Sequence, residues 1–129
     1  MAKYYAATLH KNYAQDVKQK IFIEKLTVTT DGDGDAAVTS DNYVNGELLA
    51  IVYDDGTITA ATTATITTST PIALTLDSYN VDSGDVYRPI YIEGIDADLS
   101  SRYFLDSKIV ATVSSGQASK TFYIYVVYR

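Results

Sequence analysis

Short runs of β-branched and aromatic residues recur along most of this chain, and polar turn residues separate them. Val, Ile, Thr and Tyr favour the pleated, half-buried surface of a β-strand. Turn signals rich in Gly, Asp and Asn follow one another at intervals of about 8–12 residues. No segment shows the period of an amphipathic helix of three turns. The pattern predicts an all-β fold of about eight antiparallel strands, arranged as a sandwich, a jelly roll or a barrel.

The clearest strands are predicted at the two ends of the patterned region, over residues 20–30 and 121–128. In the last of them Tyr123 and Tyr125 share one face, and apolar side chains occupy the other. A strand that is apolar or aromatic on both faces needs cover on both sides. The tyrosine face is therefore expected either inside the monomer or at a contact between subunits.

Further strands are predicted between these two, with turns or loops connecting them. They are residues 36–40, 47–53, 57–70 (with 60–63 as a possible loop), 72–76, 86–93 and 109–113. The run 47–53 is almost continuously apolar, which is typical of an interior strand. Pro89 interrupts the run 86–93 and predicts an edge strand or a bulge there. Residues 80–85 and 94–101 are predicted as loops.

The N-terminal segment has a different composition from the rest. Residues 1–20 are polar and rich in tyrosine, without a sustained period, and are predicted to form an irregular arm. Residues 21–129 are predicted to form the β-sandwich, and the length of 129 residues corresponds to one domain. Because the arm has no long apolar core, neither a secretory signal nor a transmembrane helix is expected in it.

Charge and cysteine content exclude several classes of function. The net charge is −6 and the pI is near 4.5, so nucleic acid and anionic membranes are not expected as partners. There is no cysteine, which excludes disulfides, zinc–thiolate sites and cysteine nucleophiles.

No recognisable catalytic motif is present in the sequence. His10 is the sole histidine, and neither a G-x-S-x-G elbow nor a glycine-rich phosphate loop occurs. The carboxylate pairs Asp54 with Asp55 and Asp96 with Asp98 lie in predicted turns, where Asp needs no catalytic explanation. The chain is therefore predicted not to be an enzyme and to need no cofactor.

One segment resembles the start of a calcium-binding loop. Asp31, Asp33 and Asp35 alternate with glycines, and clustered carboxylates suit a hard cation. However, Ala36 and Asn42 stand where such a loop needs Gly and Glu. A polar β-turn is the favoured interpretation, and these three residues are a weak metal candidate.

Tyrosine is the most unusual component, with 12 residues and no tryptophan. Its side chain combines a large apolar ring with a hydroxyl group, which suits protein interfaces. The predicted interface candidates are Tyr4, Tyr5, Tyr13, Tyr87, Tyr91, Tyr123 and Tyr125.

Three segments stand out when taken together: residues 44–51 (VNGELLAI), residues 82–92 (DSGDVYRPIYI) and residues 108–121, within an ordered similarity over about residues 20–129. Together they resemble a family of small proteins that decorate the capsids of tailed phages. Val86-Tyr87 stands where the family often has tryptophan. The resemblance implies a jelly-roll-like β-sandwich on the capsid surface of a virion. It also implies binding to the major capsid protein, often as a homotrimer, with no catalytic residues.

Two other functions remain open at this point. A carbohydrate-binding or adhesion module of a tail or fibre would use exposed tyrosines to stack on sugar rings and loop aspartates to bind hydroxyls. A tail-tube or head–tail connector subunit would instead form rings or helical stacks.

Overall fold

The chain folds into ten β-strands in a computed structural model that describes residues 2–5, 20–69, 71–82, 84–92 and 102–129. The described ranges contain no helix, so the predicted all-β class is confirmed. The strands are β1 Ala2–Tyr5, β2 Lys20–Thr29, β3 Ala36–Thr39, β4 Val44–Asp54, β5 Thr62–Thr68, β6 Thr75–Val81, β7 Val86–Pro89, β8 Phe104–Ser107, β9 Ile109–Val113 and β10 Thr121–Tyr128.

The strands form two antiparallel sheets. The large sheet has the order β1-β2-β10-β4-β7, with β8 pairing along the first part of β4, and the small sheet has the order β3-β9-β5-β6. Without the additional strands β1 and β8, the order 2-10-4-7 over 3-9-5-6 is that of a jelly roll. The predicted β-sandwich is therefore confirmed, in its jelly-roll form.

The core lies between the two sheets, and β10 stands at its centre. Because successive side chains of a strand point to opposite faces, β10 turns its even-numbered residues inward and Tyr123 and Tyr125 outward. The largest side chains without solvent exposure are those of Tyr53, Phe122, Leu26, Leu48, Ile51, Ile58, Ile66, Ile109 and Ile124.

The turn between β2 and β3 is packed against the turn between β9 and β10. Asp31 Oδ1 accepts hydrogen bonds from the backbone N–H groups of Asp33 and Asp35. Gly34 has a φ of +81°, and its carbonyl accepts a hydrogen bond of 2.9 Å from the N–H of Gly116. A side chain at Gly34 would collide with the carbonyl of Gly116, so glycine is required here.

The strand predicted at 72–76 is wrong in position. The actual strand β6 begins at Thr75 and extends to Val81, into the segment predicted as a loop. Ile72 and Leu74 precede it and are exposed. Ile72 and Leu74 alternate with polar residues because they belong to an apolar surface patch and not to a strand. The strand β6 contains the charged Asp77, so its sequence does not show the apolar alternation that predicts a strand.

Other boundaries also differ from expectation. Residues 2–5 are not irregular, because they form β1 and pair with β2. The four-residue strand β8 was not predicted, although it pairs with the first part of β4. The threonine-rich run forms a strand only over Thr62–Thr68. Pro89 ends β7, which lies at the edge of the large sheet as expected from its proline.

Candidate functional site

The outer face of the large sheet carries a row of tyrosine rings. Tyr125 on β10 is paired with Lys25 on β2 and with Val52 on β4, and Val52 is paired with Tyr87 on β7. The row therefore crosses four neighbouring strands, a distance of about 14 Å at the usual strand spacing. Tyr123 lies two residues before Tyr125 on the same face. We call these five outward residues the tyrosine face.

A lysine holds two of these rings in place. The Lys25 Nζ atom lies 4.6 Å from the ring centroid of Tyr123 and 5.8 Å from that of Tyr125, within the range of cation–π attraction. Tyr87 has 61% of its surface exposed, while Tyr123 and Tyr125 are half-buried by their neighbours. The face thus presents ordered, amphipathic rings to a partner.

The structure brings three of the seven predicted interface tyrosines together. Tyr87, Tyr123 and Tyr125 share the tyrosine face, but Tyr91 lies at a different surface, beside the edge of the sandwich. Tyr4 and Tyr5 lie on β1, where the backbone pairing is described and the side chains are not. Tyr13 lies outside the described residues.

A groove runs between β6, at the edge of the small sheet, and β7, at the edge of the large sheet. Its volume is about 360 Å³, and we call it the edge groove. The residues that line it are Thr75, Leu76, Asp77, Ser78, Arg88, Tyr91 and Tyr103. Most of these side chains end in a hydroxyl or a charged group, so the groove is polar.

A bidentate ion pair joins the two edge strands at this groove. Arg88 donates from Nε and Nη2 to the two carboxylate oxygens of Asp77, each at 2.9 Å. The Tyr53 hydroxyl donates to the same carboxylate at 2.7 Å, and the Arg88 guanidinium lies 4.7 Å from the ring centroid of Tyr79. The network closes the open side of the sandwich.

The network also shifts the acidities of its members. Burial raises the pKa of Asp77, but the hydrogen bonds from Arg88 and Tyr53 and the charge of Arg88 outweigh it, so the pKa lies below the ordinary 3.8. Burial and the hydrogen bond to Asp77 raise the pKa of Tyr53 far above its usual range. Asp77 is therefore a carboxylate and Tyr53 a neutral donor at neutral pH.

Sequence reasoning missed this network. Asp77 and Arg88 are 11 residues apart and lie on strands of different sheets, so no local motif joins them. One available signal was that each charge falls at an inward position of its strand. Inward-pointing charges on edge strands also discourage pairing with another strand.

A second arginine fixes Tyr91 at the end of the groove. The Arg102 guanidinium lies 4.7 Å from the ring centroid of Tyr91, and Nη2 donates to the Tyr91 hydroxyl at 3.4 Å. Arg102 Nη1 donates to the carbonyl of Leu49 at 2.7 Å, which anchors the arginine on β4. The Tyr91 ring is thus held from one side by an ordered cation.

Three carboxylates meet at the turns that follow β4 and precede β7. Oxygens of Asp54, Asp55 and Asp85 lie within 4.8 Å of one another, the one such group in the part of the chain that the structure describes. Asp55 Oδ2 accepts from the N–H of Gly84 at 2.6 Å, and Asp54 Oδ1 accepts from the N–H of Gly56 at 3.0 Å. These hydrogen bonds show that Asp54 and Asp55 stabilise the turns, which explains why carboxylates are found there.

The weak calcium candidate is not among this group. Asp31, Asp33 and Asp35 do not bring their carboxylates together, because Asp31 Oδ1 is engaged by two backbone N–H groups and Asp35 Oδ1 accepts from the N–H of Ser115. The N–H groups of Asp35 and Asp33 lower the pKa of Asp31 below its ordinary 3.8. The geometry is that of an Asx turn.

An apolar patch lies away from both the tyrosine face and the edge groove. Phe104 is 80% exposed and Ile72 is 76% exposed, and with Leu74 they border a shallow depression of about 380 Å³. Sequence reasoning placed Ile72 and Leu74 in a strand and did not single out Phe104. We call these three residues the apolar patch.

Three residues considered in the sequence, His10, Asp96 and Asp98, lie outside the described ranges. Within the described ranges no helix has the length and apolar character that crossing a membrane requires. No protein-family model, curated protein or solved structure matches this chain. The surfaces described above are therefore the basis for assigning a function.

Proposed function

We propose that this chain is a virion structural protein that decorates the capsid of a tailed phage. In this role it binds the major capsid protein through the tyrosine face and stabilises the shell without covalent chemistry. Two considerations support the proposal: the resemblance of residues 44–51, 82–92 and 108–121 to capsid decoration proteins, and a jelly-roll fold, which many viral capsid domains share. The tyrosine face is the observation that carries it.

The tyrosine face has the chemistry of a docking surface. Lys25 contacts the rings of Tyr123 and Tyr125, so these two side chains lose little conformational freedom when a partner covers them. Each tyrosine can bury about 150–250 Å². Because Tyr123 and Tyr125 are already half-buried, the three rings provide only part of the roughly 800 Å² that one partner contributes to a standard interface, and the residues around them must supply the rest.

We expect the working form to be a homotrimer. A single tyrosine face is a modest footprint, and linking three of them raises the effective affinity for a symmetric shell by multivalency. Within the described residues Phe104 and Ile72 are the most exposed large apolar side chains, so we place the apolar patch between copies.

Light scattering tests the trimer. The native mass should be three times the 14.1 kDa of one chain, and Phe104→Ser should reduce it because the substitution removes an exposed apolar contact. A monomeric wild-type protein at capsid-binding concentrations would refute the trimer, and a trimeric Phe104→Ser variant would refute the patch as its contact.

Co-sedimentation with expanded capsids of the cognate phage tests the capsid proposal. We expect binding at micromolar concentration, and we expect the double variant Tyr87→Ala, Tyr125→Ala to weaken it by about tenfold or more. Tyr43→Ala is the matched control. Tyr43 is 60% exposed, like Tyr87 at 61%, but it precedes β4 and lies roughly 25 Å or more along that strand from Val52.

Two outcomes would overturn the proposal. One is wild-type protein that remains in the supernatant with every capsid form offered. The other is a double variant that binds as tightly as the Tyr43→Ala control, which would show that the tyrosine face does not contact the shell. Circular dichroism of both variants excludes unfolding as the reason for lost binding.

A further inference from the structure

We infer that the edge groove is a binding site for a neutral saccharide. This inference does not rest on capsid decoration, because the groove lies between β6 and β7 and not on the outer face of the large sheet. A copy bound to a shell through the tyrosine face would use different residues from those that contact the sugar.

The size and lining of the groove fit one or two sugar rings. Its volume of about 360 Å³ is at the lower end of the range for small-molecule sites. Four residues that carry a hydroxyl group, Thr75, Ser78, Tyr91 and Tyr103, line it together with the Asp77–Arg88 pair. Such groups both donate and accept hydrogen bonds, which matches the alternating needs of sugar hydroxyls.

The charges of the groove favour a neutral ligand. The carboxylate of Asp77 and the guanidinium of Arg88 neutralise each other through two hydrogen bonds of 2.9 Å. These bonds use two of the five N–H donors of the arginine, whose side chain is 38% exposed. An ion pair of this kind offers an acceptor and a donor to neighbouring hydroxyls without attracting an anion or a cation.

The polar groups are held in position before any ligand arrives. Tyr53 fixes the Asp77 carboxylate, and the ring of Tyr79 lies beneath the Arg88 guanidinium. Arg102 orients Tyr91 through its ring and its hydroxyl. Ordering these side chains in advance reduces the entropy lost on binding, which matters for a ligand that binds weakly.

Tyr91 supplies the apolar part of the site. Its ring is exposed and borders the groove, where Leu76 and the ring of Tyr103 are the other large apolar contributors to the lining. The C–H face of a pyranose packs against an aromatic ring, while the hydroxyls at its rim meet polar side chains. Aromatic rings beside several hydrogen-bonding groups are an arrangement that can orient a small polar ligand.

An extended peptide that adds a strand to β6 is the main rival occupant. Asp77 points inward from this edge strand, and inward charges oppose strand addition. The pairing of β5 with β6 also shifts register between Ile66 and Thr67, so the edge is not regular near Thr75. Both features favour the saccharide.

Nuclear magnetic resonance on the full chain tests the site. The probes are neutral disaccharides built from glucose, galactose or mannose, added at millimolar concentration because single saccharide sites are weak. We expect at least one of them to shift the amide signals of Thr75, Ser78 and Tyr91. We expect Tyr91→Ala to weaken that binding by about tenfold and Ser78→Ala by about threefold.

Matched variants separate this site from the capsid surface. Tyr43→Ala changes an equally exposed tyrosine elsewhere and should leave sugar binding unchanged. Tyr91→Ala should leave capsid binding unchanged, while Tyr87→Ala with Tyr125→Ala should leave sugar binding unchanged. Whether the natural sugar is free or part of a cell surface is decided by comparing soluble disaccharides with isolated cell-wall glycan.

Three results would overturn the inference. The first is the absence of shifts with all the sugars and with the glycan. The second is binding that Tyr91→Ala and Ser78→Ala leave unaltered, which would place the sugar elsewhere. The third is a groove that takes up an extended peptide and excludes the sugars, which would assign it to strand addition.

Discussion

Asp77 shows how a single buried charge depends on its partners. Its side chain is only 7% exposed, yet it remains ionised because Arg88 and Tyr53 donate three hydrogen bonds to it. Removing one member of such a group leaves the others desolvated, which costs more than the group contributes as a whole. The residue is therefore sensitive to substitution and to pH.

Asp77→Asn should lower the free energy of unfolding by about 2 kcal/mol at neutral pH, because hydrogen bonds to a charged group are lost. The pKa of Asp77 is lower in the folded chain than its ordinary 3.8. The stabilisation is therefore complete well above pH 3.8 and is lost as the pH falls through the folded pKa. Urea unfolding of both proteins across this range should show the difference shrinking at low pH. A difference independent of pH would contradict this account.

Two glycines with positive φ allow a comparison of how much stability is lost when a side chain is added at each position. Gly34 has a φ of +81° and faces the backbone of Gly116, whereas Gly84 has a φ of +98° and open space around it. Gly34→Ala should lose about 3 kcal/mol of stability from strain plus collision, and Gly84→Ala about 1 kcal/mol from strain alone. Denaturant midpoints measure both. Equal losses at the two positions would mean that the contact between the Gly34 turn and the Gly116 turn contributes nothing to stability.

At the scale of the elements, the edge strands β6 and β7 carry the most information. Each turns a charge inward, and the two charges meet across the mouth of the sandwich. Ion pairs often add little net stability, whether they are exposed or buried. We therefore expect the Asp77–Arg88 pair, whose arginine is 38% exposed, to serve mainly to keep the edges from pairing with other chains.

The double variant Asp77→Leu, Arg88→Leu tests that role. Because both charges are removed together, any fall in melting temperature should be limited to the cost of the buried Tyr53 hydroxyl, which loses its acceptor. It should also associate in a concentration-dependent way, because the edges lose their inward charges. Calorimetry and light scattering measure the two effects. A variant with unchanged association would assign the pair to stability and not to edge protection.

The strands that sequence predicted well are those whose patterns agree with their surroundings. Residues 20–30 alternate clearly, residues 121–128 form a continuous apolar and aromatic run, and both become neighbouring strands of the large sheet. Pro89 marked an edge correctly. β6 was misplaced because Asp77 occupies an inward position that Arg88 and Tyr53, both in the other sheet, make acceptable. β8 is too short to show a period and exists through its pairing with β4.

At the scale of the whole molecule, the tyrosine face and the edge groove are both formed by residues that lie far apart in the sequence. The tyrosine composition predicted an interface, but only the pairing of β10, β4 and β7 shows that Tyr87 joins Tyr123 and Tyr125. The edge groove combines residues of β6 and β7 with Tyr91 and Tyr103, and none of these forms a motif. Its polar chemistry could not have been read from the sequence.

The position of β10 predicts which parts of the chain the fold requires. β10 pairs with β2 on one side and β4 on the other, and Phe122, Ile124 and Val126 have no solvent exposure. Deleting residues 121–129 should therefore abolish cooperative unfolding, as seen by circular dichroism during heating. Deleting residues 1–5, which removes only the edge strand β1, should preserve it. A folded chain without β10 would require a different strand order.

The order in which the strands are synthesised has a consequence for how the protein is made. The pair Thr29 and Thr121 joins β2 to β10 across 92 residues, so β2 must wait for its neighbour. A ribosome adds about 5–20 residues per second, so this wait lasts roughly 5–20 s. During that time β2 and β4 are both exposed on the nascent chain, because β10, which pairs with each of them, has not yet been made. The yield of the protein in cells should therefore depend on chaperones that cover these strands until β10 has been made.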